Sequence, residues 1–126
     1  MSAQGHPDVD ARASQPLCRR VAAGQSTSSG PARHETSGDA FDIAVHVLSQ
    51  GQTLSAAAGQ AGEEVAAVLE GTFTIEAAGE TYRLSKGEGI IIPSAESRLW
   101  TCDTKGGRLY RVINRTSLGA QAGAAA

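Results

Sequence analysis

Between residues 40 and 116 the apolar residues fall into short runs, most of four to eight, set apart mainly by glycine-containing breaks, and no segment sustains the 3.6-residue period of a helix face. That pattern confines the chain to an all-β fold. The runs are Phe41–Leu48, Thr53–Ala58, Glu63–Leu69, Thr72–Glu76, Thr81–Leu84, Ile90–Ile92, Arg98–Cys102 and Arg108–Asn114. Thr72-Phe-Thr-Ile-Glu76 alternates β-branched and aromatic residues, as a pleated strand requires. Pro93 cannot donate to a ladder and ends the run before it. Roughly eight or nine short strands with glycine turns predict a sandwich or barrel. At 126 residues the chain is long enough for one such domain.

The flanks read differently. Residues 1–39 are rich in Ser, Gly, Ala and Gln, and hold Pro7, Pro16 and Pro31. They are expected to be a flexible leader, with Leu17–Val21 as a possible edge strand. The tail 117–126 has only small residues beyond Leu118 and Gln121, nothing bulky enough to hold a helix down, and is expected to be disordered. The barrel is therefore placed at 40–116. Removing residues 1 to about 16 is expected to leave it folded, because ordering a leader with little apolar surface costs about 1–2 kcal/mol per backbone residue.

Eleven Lys and Arg against thirteen Asp and Glu leave a formal charge of −2, without the basic excess that nucleic-acid binding demands. There is neither a membrane-length apolar run nor the apolar core of a secretory signal, so no membrane partner is expected and the cytoplasm is the default compartment. Cys18 and Cys102 lack the close spacing of a zinc or redox pair and are read as free thiols. Ala61–Glu80 carries five acidic residues and no basic one, whereas Arg98–Arg115 carries five basic residues and only Asp103. Such strips can pair neighbouring strands, pair two subunits, or simply face solvent.

Two stretches resemble the motifs of the cupin superfamily. In Gly62-Glu-Glu-Val-Ala-Ala-Val-Leu-Glu-Gly71, six residues stand between Glu64 and Gly71, and in Gly87-Glu-Gly-Ile-Ile-Ile-Pro93, five stand between Gly87 and Pro93. The resemblance implies a double-stranded β-helix, or jelly-roll, barrel and a homodimer paired through its sheets. It also implies a metal centre of two His before the motif glutamate and a third after the motif proline. Here those positions hold Ala58, Gln60 and Arg98, and only Glu64 keeps a strong ligating group. Arginine offers donors and no lone pair, so the expectation is no metal, no other cofactor, and no stoichiometric transition metal in the purified protein.

If Glu64 faces the barrel interior, period two carries Ala58, Gln60, Gly62, Ala66 and Val68 with it, and turns Glu63, Val65 and Ala67 away. Arg98 similarly brings Trp100 and Cys102 inward. Gln60, Glu64, Arg98, Trp100 and, from the preceding strand, His46 are the candidate ligand-binding residues, with a Glu64–Arg98 ion pair where the metal would stand. Plainer readings are a fossil metal site closed by a salt bridge, a core Trp and a structural His. Three readings remain: a metal-independent binding or sensor module for a small anionic or polar molecule; a small isomerase, lyase or cyclase of secondary metabolism with Glu64 as catalytic base and Arg98 as anion clamp; and a conventional metal-dependent cupin whose ligands stand at other positions than the motif spacing gives. Arg98→Ala is expected to be the more damaging substitution, and Glu64→Gln the milder one.

Overall fold

The structure, a computed structural model, describes residues 17–23 and 32–117. Among the described residues, nine strands form two antiparallel sheets. In chain order they are β1 (Ala32–Ser37), β2 (Phe41–Ser49), β3 (Thr53–Ala56), β4 (Glu63–Glu70), β5 (Thr72–Ala77), β6 (Glu80–Ser85), β7 (Gly89–Ile92), β8 (Arg98–Cys102) and β9 (Gly106–Asn114). One sheet runs β1-β2-β9-β4-β7 and the other β3-β8-β5-β6, the two layers of a jelly-roll barrel.

The N-terminal boundary needs correction. Ala32–Ser37 lies inside the stretch expected to be leader, yet it pairs with β2 along its whole length, from Ala32 opposite Val47 to Ser37 opposite Asp42. Its sequence, Ala-Arg-His-Glu-Thr-Ser, has no bulky apolar residue, so a hydrophobic-pattern reading passes over it. Leu17–Val21, the segment expected as an edge strand, forms no strand. Residues 1–16, whose removal is expected to be tolerated, and residues 118–126 of the tail lie outside the described residues. Ser117, read as the start of the tail, is tied in: its hydroxyl accepts from the Glu63 amide at 2.7 Å and donates to the Asn114 carbonyl at 2.9 Å.

Leu48, Val68, Phe73, Ile75, Leu84, Ile92, Trp100, Cys102 and Leu109 fill the space between the sheets. Phe73 meets Trp100 edge to face, ring centroids 6.3 Å apart. Burying a large apolar side chain contributes about 1.5–3 kcal/mol, so this cluster supplies the main drive for the sheets to close. Gly71 makes the β4–β5 turn with φ of 79°, and a Cβ there would lie 2.5 Å from the Gly106 carbonyl oxygen. Both the left-handed backbone and the close approach require glycine at that corner.

The acidic and basic strips meet in part within the chain, through Glu64 and Glu70. Arg108 meets Glu70 at 2.8 Å, Arg111 meets Glu64 at 2.7 Å and Arg98 meets Glu64 at 3.1 Å. Cys18 is exposed and Cys102 buried, and neither is in a disulfide. Among the described residues no helix is long and apolar enough to cross a membrane.

Candidate functional site

β4 reads exposed, buried, exposed, buried from Glu63, so Glu64, Ala66 and Val68 enter the interior, as period two predicts. The ladders then decide which neighbours share that face. Ala66 lies opposite Arg111 on β9, and Arg111 lies opposite Ala44 on β2. Leu109 lies opposite His46, which therefore faces inward as well. From the other sheet, Arg98, Trp100 and Cys102 of β8 are all buried.

These side chains form one cluster about the Glu64 carboxylate. The Arg98 Nη1 donates to Glu64 Oε1 at 3.1 Å, and the Trp100 Nε1 donates to Oε2 at 3.1 Å. Arg111 adds a two-pronged contact, with its Nε donating to Oε2 and its Nη2 to Oε1, both at 2.7 Å. The side chains of Glu64 and Arg98 have no accessible surface, whereas Arg111 keeps 12%. Burial alone would push the Glu64 carboxyl up. The hydrogen bonds and charges of Arg111 and Arg98 outweigh it and hold Glu64 below its ordinary value, ionised.

Arg98 is fully engaged. Besides Glu64, its Nη1 donates to the Gly62 carbonyl at 3.1 Å, its Nη2 to the Pro93 and Glu96 carbonyls at 3.1 and 2.8 Å, and its Nε to the Glu96 carbonyl at 3.1 Å. A guanidinium has five N–H groups, so none is left to grip an anion. Arg98 is the fastener between β8 and the loops flanking β4 and β7.

Two candidates fall elsewhere than expected. Gln60 is exposed, in the turn between β3 and β4, where its side-chain oxygen accepts from the Ala57 amide at 2.9 Å. Ala58 is exposed in the same turn. Period two breaks down there because β4 begins only at Glu63, and alternation does not extend through a turn. Trp100 is an interior side chain with its indole N–H spent on Glu64, which matches the plainer reading of it.

His46 is 2% exposed, and its Nδ1 has no partner among the described residues. Burial, then the charges of Arg111 and Arg33, lower its pKa to about 4 against the opposing effect of Glu64, so the imidazole is neutral at pH 7. Arg111 is the residue of this cluster that sequence reasoning missed. The signal was there: Leu109, Arg111 and Ile113 alternate with Tyr110 and Val112, which puts a charged side chain on an otherwise apolar inner row.

The donor set does not suit the metal that cupins commonly carry. Both Glu64 oxygens are already hydrogen-bonded, and the nearest groups are two cations and an indole N–H. Among the described residues no cluster of three or more His, Cys, Asp and Glu is placed to hold a metal ion.

No protein-family model matches the chain, and no curated relative matches it either. Solved structures do. The Cupin_2 domain of an XRE family transcriptional regulator from Enterobacter cloacae superposes with a TM-score of 0.60 at 16% identity, covering 68% of this chain and 96% of that one. An RmlC-like cupin from Shewanella frigidimarina gives 0.62 at 18% identity, over 76% and 83% of the two chains. The chain has the cupin fold. KdgF from Halomonas sp. is a further structure similar to this cupin barrel, with a TM-score of 0.61 at 16% identity, over 72% of this chain and 84% of its own. At such identities the likeness reaches as far as the fold, and the cluster around Glu64 must be read on its own chemistry.

Proposed function

We propose that the chain is a metal-independent cupin module that binds a small polar or anionic molecule at the inner face of its five-stranded sheet. One observation carries this reading: Glu64 and Arg98 are both fully engaged, Glu64 by Arg98, Arg111 and Trp100, and Arg98 by Glu64 and the Gly62, Pro93 and Glu96 carbonyls, while Arg111 and His46 beside them keep some hydrogen-bonding capacity unused. The saturated pair supports the absence of the usual metal. It also weighs against Glu64 as a catalytic base, since a carboxylate accepting four hydrogen bonds and held ionised by two guanidiniums is a poor proton acceptor. A sensor role draws further support from the Enterobacter cloacae structure, a domain of a transcriptional regulator. Native mass spectrometry of the purified chain, with elemental analysis, tests the reading. The expected result is no stoichiometric transition metal and a small molecule retained or taken up. One tightly bound Zn, Fe, Mn, Ni or Cu per chain would overturn it.

A homodimer is part of the same proposal. The outer face of the five-stranded sheet exposes Val65, Leu69 and Ile91, with Ile91 64% accessible. Glu63 lies at one end of this face and Arg108, paired with Glu70, at the other. A second copy turned end for end would set Glu63 against Arg108 while covering the apolar strip, a self-complementary contact. Sedimentation equilibrium should give twice the mass of the chain, and Val65→Glu combined with Ile91→Glu should return it to one. A wild-type monomer at high micromolar concentration would contradict the proposal.

A further inference from the structure

We propose that the inner face of β2 and β9 is a binding site for a small monocarboxylate, gripped by the free edge of the Arg111 guanidinium and by the His46 Nδ1 across the small side chain of Ala44. This rests on the binding-module reading and names its ligand class and place.

Charge points to the ligand. Glu64 brings one negative charge to the buried cluster, and Arg98 and Arg111 bring two positive ones, so the cluster carries one uncompensated positive charge. The ions nearby on this side of the sheet are solvent-accessible and do not supply the balance. Arg33, opposite His46, is paired with Glu35 at 3.3 Å, and Asp42 is taken by Arg115. An unbalanced charge in a low-dielectric interior is costly unless a counter-ion meets it. A monoanion closes the balance; a neutral molecule leaves it open and a dianion overshoots it.

Hydrogen-bonding capacity points to the place. All five Arg98 N–H groups are engaged, whereas Arg111 spends only its Nε and one Nη2 hydrogen on Glu64. Its remaining edge, Nη1 and the second Nη2 hydrogen, has no partner among the described residues. That edge is a fork matched to the two oxygens of a carboxylate. Directly across the ladder from Arg111 stands Ala44, and two residues further along β2, on the same face, stands His46. Diagonal neighbours of this kind have Cα atoms roughly 7–8 Å apart, so the two side chains are neighbours on one face of the sheet. His46 brings the second and independent mark of a site, a buried ring nitrogen without a partner. A neutral imidazole protonated at Nδ1 donates to a carboxylate oxygen, and Ala44, the residue between, carries only a methyl.

The test uses the full chain labelled with 15N, with acetate as probe and acetamide as its neutral isostere, at constant ionic strength. Acetate is expected to shift the His46 ring nitrogens and the Arg111 Nε saturably, to leave the Arg98 Nε unmoved, and to do so where acetamide does not. Arg111→Lys should weaken acetate about tenfold or more by losing the fork, and His46→Leu should weaken it several-fold, since tenfold corresponds to about 1.4 kcal/mol. The wild-type titration stands whether or not either variant folds. Equal responses to acetamide, no saturable response, or a response centred on Arg98 would overturn the proposal. If the titration fails while mass spectrometry finds a different retained molecule, the carboxylate inference falls and the binding module stands. A bound transition metal would remove both.

Discussion

Glu64→Gln is expected to destabilise the barrel by about 3–5 kcal/mol, the cost of leaving buried charge without its partner. For a domain this size that corresponds to a melting point lower by roughly 15 °C or more. The carboxylate is the only anion among Arg98, Arg111 and Trp100, so its loss leaves two guanidiniums facing one another and forces an amide NH2 toward donors. Arg98→Ala, by comparison, leaves Glu64 with both bonds from Arg111 and the one from Trp100. Its cost comes from three carbonyls, of Gly62, Pro93 and Glu96, that lose their donor. The order expected from sequence, with Arg98→Ala the worse, is thereby reversed, because a pair turned out to be a triad. Thermal melts of the two variants at pH 7 check it, and a Glu64→Gln protein melting within a few degrees of wild type would contradict it.

Acid is expected to weaken the fold in two separate windows. His46 has a folded pKa of about 4 against 6.5 when unfolded. Between those values the unfolded chain takes up a proton that the folded chain refuses, so the His46 contribution is complete above 6.5 and is lost as pH falls toward 4. The loss is on the order of 3 kcal/mol. The groups that set this are Arg111 and Arg33, which oppose the proton, and Glu64, which favours it. Glu64 acts lower down: with its folded value depressed, its contribution is present above the unfolded value of 4.5 and disappears as pH falls through the folded one. Urea denaturation at half-unit steps from pH 8 to 4 should therefore show declining stability already below pH 6.5, and His46→Leu should flatten that upper window alone. A wild-type curve level from pH 7 to 5 would show that His46 is free to protonate in the barrel.

Most of the fold was legible because alternation reports directly on which face of a strand is buried. Glu64, Ala66 and Val68 on β4, and Arg98, Trp100 and Cys102 on β8, entered the interior as period two required. β1 was not legible, since Arg33, His34 and Glu35 earn their place through backbone pairing with β2 and not through apolar burial. Gln60 was misplaced by carrying alternation across a turn. Arg111 was passed over for a different reason: it was counted as part of a basic strip although its alternation with Leu109 and Ile113 placed it on the inner row, and the ladder that sets it opposite Ala66 fixes that inward direction. Which partner a buried carboxylate chooses is set by contacts distant in sequence, and in one chain these leave no local pattern.

The ionised Glu64 between two guanidiniums can be observed directly. The carboxyl carbon of Glu64, followed by NMR in 13C-glutamate-labelled wild-type protein across an acid titration, should remain that of a carboxylate through pH 4.5 and should not change when Zn or Mn is added at neutral pH. A carboxyl that takes its proton at or above pH 4.5, or whose signal is shifted or broadened by one equivalent of metal, would contradict the ion-paired centre.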